Sequence, residues 1–334
     1  MKKLKNKIFS WIISKFNIGK IDNILSKIPV INIIYKFFIQ KTITYDFPGH
    51  IFIESTSACN LRCKMCARNQ ISSAFGNMDF SLFKKIVDEA KKYGPRSFSP
   101  YGNGEPLLAP NIIEMIKYIK ESNPDNTVIL TTNGTLLTKE KSEELVKYQV
   151  DKIAISFTSP DRKTYFEKTG VDKLEEVEKN IKQLIDIKKE KKSYKPLIFI
   201  RLIVDKDTKS QAKEFLQRWG NKKVIAEVRP MHNYGGNVKV DYIKINTKRY
   251  PCYHLWLAPT ILWDGDFVIC CSDYGRKSLM GNIKNQTINE IWKGEKMQKY
   301  RRAHLTGNYD EAVPCNNCDV WNIYSDLFFK WQKK

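Results

Sequence analysis

Between residues 51 and 230 the chain alternates short, apolar, strand-like runs with longer stretches whose apolar residues recur every three or four positions. No other feature restricts the fold as much. The strand-like runs fall at 51–55, 97–101, 127–132, 152–157, 197–204 and 224–229. Helical periods occupy 81–93, 112–121, 139–148, 174–189 and 209–219, with Leu174, Val177, Ile181, Leu184 and Ile185 showing the spacing clearly. Six βα-type repeats predict a parallel sheet with right-handed crossovers. They are too few to close an eight-fold barrel, so the expected fold is α/β, a partial (β/α)6 barrel with its chemistry at the C-terminal strand ends.

Directly after the first run comes Cys59-Asn60-Leu61-Arg62-Cys63-Lys64-Met65-Cys66, three cysteines spaced Cys-x3-Cys-x2-Cys. An iron–sulfur cube usually takes four thiolates. Three close cysteines without a fourth nearby leave one iron open to a ligand. Structural zinc is the alternative, but it wants four ligands, and the nearest histidine, His50, lies at the far end of the strand. The segment resembles the signature of the radical S-adenosylmethionine (SAM) superfamily. The resemblance implies that the open iron of a [4Fe–4S] cluster on Cys59, Cys63 and Cys66 chelates SAM, which is cleaved reductively to a 5′-deoxyadenosyl radical. In that family an aromatic residue often precedes the third cysteine and lies near adenine; here it is Met65.

Other expectations follow from the same resemblance. Gly102-Asn103-Gly104-Glu105-Pro106, at the end of the second run, is similar to the family's Gly-Gly-Glu-Pro motif, with Asn103 replacing a glycine. There Glu105 is expected to meet the SAM ammonium group. Thr132 and Asn133 end the third run and Ser156 lies in the fourth, where relatives hydrogen-bond the ribose or carboxylate; turn and cap roles serve equally for these residues. Arg201 faces either the cofactor carboxylate or the helices, since period-two alternation does not give its side. His232, past the sixth run, is the candidate catalytic base; a packing role is its alternative.

Residues 250–320 read as a smaller metal unit. Cys252 precedes a hairpin that turns at Asp264-Gly265 and ends at Cys270; a helix follows over 288–300, and Cys315-Asn316-Asn317-Cys318 closes the unit. Its Trp256-to-Gly265 spacing and its Ile291-Trp292 helix resemble the short SPASM or "twitch" extension of radical SAM enzymes. That resemblance implies an auxiliary [4Fe–4S] cluster on Cys252, Cys270, Cys315 and Cys318, with Cys271 spare or an alternative to Cys270. Zinc in the same four thiolates stays open on ligand type alone.

The divisions expected are a basic amphipathic extension over 1–48, the barrel over 49–240, the cluster unit over 241–320 and an aromatic, basic tail over 321–334. Residues 1–48 hold nine lysines against Asp22 and Asp46, with Phe9, Ile12, Ile13 and Phe16 at helical spacing. Such a segment either contacts a membrane surface through residues 1–40 or docks on the barrel. The formal charge of +21 comes from lysine spread along the whole chain, and no motif for nucleic acid accompanies it. Grouped cysteines without a secretion signal point to a reducing cytoplasm, with peripheral membrane contact as a further expectation. The expected function is hydrogen abstraction from a substrate C–H, with net oxidation and the auxiliary cluster as electron acceptor. Maturation of a ribosomal peptide and modification of a lipid-linked substrate are the enzymatic alternatives, and a non-enzymatic iron–sulfur or zinc protein stands last. Expected partners are a small-molecule or peptide substrate and a reducing electron donor such as flavodoxin or ferredoxin.

Overall fold

The computed structural model describes residues 46–70, 75–220, 223–240, 249, 251–252 and 254–323. The amphipathic segment and most of the C-terminal tail lie outside the described residues. Six parallel strands form the barrel wall: β1 (His50–Ile53), β2 (Ser97–Ser99), β3 (Thr127–Thr132), β4 (Lys152–Phe157), β5 (Leu197–Val204) and β6 (Ile225–Pro230). They are hydrogen-bonded in chain order. The helices between them are α1 (Phe80–Lys91), α2 (Ile112–Ser122), α3 (Lys139–Lys147), α4 (Arg162–Thr169), α5 (Leu174–Glu190) and α6 (Ala212–Trp219). Apart from α4, each lies where the periodicity places a helix.

The strands sort their residues by side. Ile51 and Ile53 of β1, Ile153, Ile155 and Phe157 of β4, and Ile198, Ile200 and Leu202 of β5 join the main hydrophobic core with helix residues such as Ile116, Ile181 and Phe215. Successive side chains on a strand point to opposite faces. His50, Phe52, Glu54, Ser156 and Arg201 therefore turn to the concave face, which carries the polar and charged groups.

The C-terminal unit departs from expectation in two ways. Its first strand, β7 (Thr260–Ile261), pairs in parallel with β1, so the hairpin with β8 (Asp266–Val268) and the short β9 (Gly281–Asn282) continue the barrel sheet to nine strands. The expected single helix over 288–300 is two, α8 (Ile288–Lys293) and α9 (Glu295–Thr306), broken at Gly294, whose extended backbone (φ −62°, ψ 156°) no helix continues through. A one-turn helix, α7 (His254–Leu257), separates Cys252 from the hairpin. The unit is also fastened from outside: the Glu89 carboxylate of α1 accepts the Ile288 and Asn289 N–H groups at 2.9 Å each, occupying the open donors at the start of α8. Among the described residues no helix is long and apolar enough to cross a membrane.

Candidate active site at the strand ends

The three-cysteine loop leaves the C-terminal end of β1 and is held by its neighbours. The Cys63 carbonyl accepts the Cys66 N–H at 2.9 Å and the Asn69 side-chain amide at 2.7 Å. Asn60 reaches across to β3, donating to the Thr135 hydroxyl at 2.8 Å and accepting from the Asn133 amide at 2.9 Å. All eight cysteines are free thiols. Burial, with Cys66 and Cys59 beside it, pushes the Cys63 thiol up to about 12, and burial also raises Cys59 and Cys66. Such thiols give up their protons to a metal rather than to water.

Gly104 sits against this loop so closely that a Cβ would lie 2.3 Å from the Ala58 carbonyl oxygen and 2.5 Å from that of Thr56. The adjacent Glu105 N–H donates to Ala58 O at 2.8 Å. Only a residue without a side chain lets the two loops approach this way. The Glu105 carboxylate, expected to grip an ammonium, is buried and already accepts the Thr132 hydroxyl (2.6 Å), the Asn133 N–H (2.7 Å) and the Leu107 N–H (3.1 Å). Burial raises its pKa against the pull of those donors. In this arrangement Glu105 binds the second and third strand ends together and caps the turn Pro106–Leu108. The Thr132 hydroxyl is spent on that link, while Asn133 side-chain oxygen accepts from Thr135.

On the concave face the register lines up Ser156, Arg201 and Glu227 in one row. Arg201 donates from Nε to Glu227 at 3.0 Å, and Arg229 reaches the same carboxylate at 3.2 Å, so two arginines share one acid. Met65 lines a cleft of about 630 Å³ with Lys64, Thr164, Lys168, Asp205 and Met231. His232 lies just beyond β6, packed at a tilt against Tyr234 with ring centroids 3.9 Å apart. Its Nδ1 accepts the Tyr234 N–H at 3.2 Å, which puts the ring proton on Nε2, and burial pushes its pKa down to about 4. At neutral pH this imidazole presents a donor, not the lone pair required of a base.

One functional carboxylate escapes sequence reasoning. Glu54, fully buried at the end of β1, accepts the Asn103 N–H at 3.0 Å and the Trp263 N–H at 3.2 Å. It thus joins the glycine-rich loop to the C-terminal hairpin. Burial raises its pKa to about 7, the two N–H groups and Arg276 pull it down, and Asp264 pushes it up. An acidic residue interrupting an otherwise apolar strand run is the signal that marks it.

In the C-terminal unit Cys252, Cys270, Cys315 and Cys318 lie within electrostatic reach of one another; burial and its fellow thiols push Cys270 far up and Cys252 to about 12. Cys271 faces the same group, pushed to about 11 by burial and by Cys318. The loop carrying His232 docks on the Cys-x2-Cys turn: Asn233 N–H donates to Asp319, at 2.9 Å to the nearer oxygen, and its amide donates to Asn317 O at 2.6 Å. Among the described residues no three His, Cys, Asp or Glu side chains converge as a single-ion site. The two thiol sets are defined by chain spacing and by their mutual electrostatics.

The radical SAM superfamily model matches residues 53–218. The chain belongs to the radical SAM superfamily. An iron–sulfur cluster-binding model, SPASM, matches residues 242–319. The tungsten-containing aldehyde ferredoxin oxidoreductase cofactor-modifying protein of Pyrococcus furiosus is 25% identical, covering 81% of this chain and 87% of the relative. The SAM-dependent 2-deoxy-scyllo-inosamine dehydrogenase of Niallia circulans is also 25% identical, covering 83% and 94%. Among solved structures, BtrN in complex with AdoMet and 2-DOIA superposes with TM-score 0.58 at 21% identity, covering 81% and 93%; Streptococcus suis SuiB bound to the precursor peptide SuiA gives 0.63 at 16%, covering 86% and 73%. These last two show the shared fold. As a radical SAM enzyme the protein uses SAM and a [4Fe–4S] cluster, and its SPASM domain brings an auxiliary iron–sulfur cluster.

The side chains suit those groups. Both sets are unpaired thiols held high by burial, ready to exchange protons for iron. Two buried donors beside the second set, Arg249 Nε and His304 Nε2, find no acceptor among the described residues, and the sulfur atoms of a cluster would supply one. Gly104→Ala is expected to lower SAM cleavage roughly tenfold or more, about 1.4 kcal/mol of lost stabilisation, because a methyl group must push apart two loops joined through backbone atoms. 5′-Deoxyadenosine yield on the reconstituted, reduced variant reads this directly, with iron content as the control.

Proposed function

We propose that this enzyme performs a net two-electron oxidation, a dehydrogenation at a substrate carbon bearing hydroxyl or amine, with the auxiliary cluster accepting the second electron. When bound, the first cluster and SAM supply the 5′-deoxyadenosyl radical that removes the hydrogen atom. The observation carrying the reading is that the C-terminal unit holds four mutually close thiols and is built onto the barrel wall through the β1–β7 pairing. Four thiolates complete a cluster's ligands. A fully ligated cluster has no corner left for substrate, so electron transfer is the role it can serve. The dehydrogenase of Niallia circulans, similar over most of both chains, favours the same reaction class.

In this reading Cys59, Cys63 and Cys66 hold the first cluster, and Cys252, Cys270, Cys315 and Cys318 hold the second. Gly102, Asn103, Gly104, Glu105 and Pro106 form the cradle for the SAM amino-acid end, where Glu105 acts chiefly by fixing the loop. Met65, Thr132, Asn133 and Ser156 complete the cofactor wall, and Arg201, held by Glu227, faces the cofactor carboxylate. His232 donates a hydrogen bond from Nε2 to a substrate heteroatom.

The test uses 2-deoxy-scyllo-inosamine and simple secondary alcohols deuterated at the carbinol carbon. Deuterium in 5′-deoxyadenosine, with ketone formed in equal amount, is the expected result. A paired variant, Cys315→Ala with Cys318→Ala, should still cleave SAM yet lose the ketone. Undiminished ketone from that variant removes the auxiliary cluster from the reaction.

A further inference from the structure

Arg249 stands beside the second thiol set in a position that surface lysines do not share. Its guanidinium lies 3.9 Å from the Tyr309 ring and 5.6 Å from that of Trp321. Nη1 donates to the Asn316 carbonyl at 3.2 Å and Nη2 to the Cys315 carbonyl, both within the Cys-x2-Cys turn. Nε is buried and finds no acceptor among the described residues. His304 packs edge-on to Tyr309 at 5.0 Å and accepts the Cys252 N–H through Nδ1 at 3.2 Å. That bond leaves the proton on Nε2, which is likewise buried and without an acceptor among the described residues. The two side chains that bond the backbone of Cys252 and Cys315 thus each carry an N–H donor without an acceptor among the described residues, one of them permanently charged.

We propose that Arg249 sets the reduction potential of the auxiliary cluster, holding a fixed positive charge and a hydrogen-bond donor against its thiolates and so making it the stronger electron acceptor. Cluster potentials respond to local charge, to hydrogen bonds on sulfur and to exclusion of water. Reduction adds one negative charge, which a cation fixed in a medium of low polarity stabilises more than it stabilises the oxidised form. Arginine suits the task because its planar fork bonds two carbonyls while its face stacks on a ring. The inference rests on the reading of the auxiliary cluster as acceptor. In that step the substrate radical gives up one electron to the cluster and one proton to water, and the substrate is left oxidised by two electrons in all.

The test is a redox titration of the reconstituted full-length chain, followed by electron paramagnetic resonance, with the Cys59/Cys63/Cys66 cluster as internal reference. Arg249→Met should lower the electron-accepting equilibrium of the second cluster at least tenfold, about 59 mV more negative for one electron, and leave the first unmoved. Arg249→Lys, which keeps the charge, should recover most of the difference. A methionine variant that retains about eight irons at the wild-type potential overturns the proposal, as does a lysine variant that falls as far as methionine. Should methionine cost the second cluster its iron, Arg249→Gln is titrated instead, and a wild-type potential there is equally fatal. A wild-type count near four irons rejects the auxiliary cluster itself, a separate failure visible before any variant is made.

Discussion

Cys63→Ala is expected to abolish 5′-deoxyadenosine formation, at least a thousandfold below wild type or more than about 4 kcal/mol, and to cut the iron content from about eight to about four per chain. The reason lies in ligand count. Three thiolates hold a cube and leave one iron for SAM; two do not hold it. Cys63 is the middle cysteine of the three, and its carbonyl receives the Cys66 N–H and the Asn69 amide. Those are backbone-oxygen contacts, so an alanine keeps them and the loop can retain its shape. The loss should therefore be chemical and confined to the first cluster. The second set lies on other elements, and its spectrum should survive unchanged. Radical production by the variant, or an iron count that does not fall, would mean that the radical-generating centre lies elsewhere.

The local character of these effects follows from how the fold distributes its information. The six strands were legible because each alternates core residues such as Ile198, Ile200 and Leu202 with residues of the other face, and because helical periods separate them. Helix α4 was not legible. Only Tyr165 and Thr169 of its eight residues are buried, so it has no apolar stripe to detect; its signals are the Asp161 cap at one end and left-handed Gly170 at the other. The parallel pairing of β7 with β1 joins residues some two hundred positions apart through a ladder of two residue pairs, and local pattern carries no trace of that partnership. The two cysteine groups were readable from spacing, and the fold brings the thiols of each group within electrostatic reach of one another. The partners of Glu105 and His232 were not, because a motif names a residue type and only the folded chain decides which lone pairs are already taken.

Glu54→Gln is expected to change how stability depends on pH, and the direction follows from the environment of the carboxylate. Its ordinary value of 4.5 is raised to about 7 in the fold, chiefly by burial, with Arg276 opposing and Asp264 adding to the rise. Tyr274 also faces it, and the Glu54 carboxylate is among the causes that hold the Tyr274 phenol far above its ordinary value, so Tyr274 stays neutral across this range. A carboxylate with a raised folded pKa binds its proton more tightly in the native state, so its contribution is intact below about pH 4.5 and is lost as pH climbs through 7. That rise corresponds to about 3 kcal/mol of native stability given up between pH 4 and 8, most of it above pH 5. Glutamine has no charge to desolvate, and that loss should vanish. It brings a cost of its own: the amide can accept only one of the two backbone N–H groups now held by Asn103 and Trp263, and the other is left facing a donor, for roughly 1–3 kcal/mol. The variant should therefore be the less stable protein at pH 5 and should draw level with wild type, or pass it, at pH 8. Denaturant midpoints of both proteins, reconstituted without oxygen and measured at the two pH values, read the crossing. Parallel pH profiles would show that the buried carboxylate does not titrate in this range, and that the link between the glycine-rich loop and the C-terminal hairpin is insensitive to its charge.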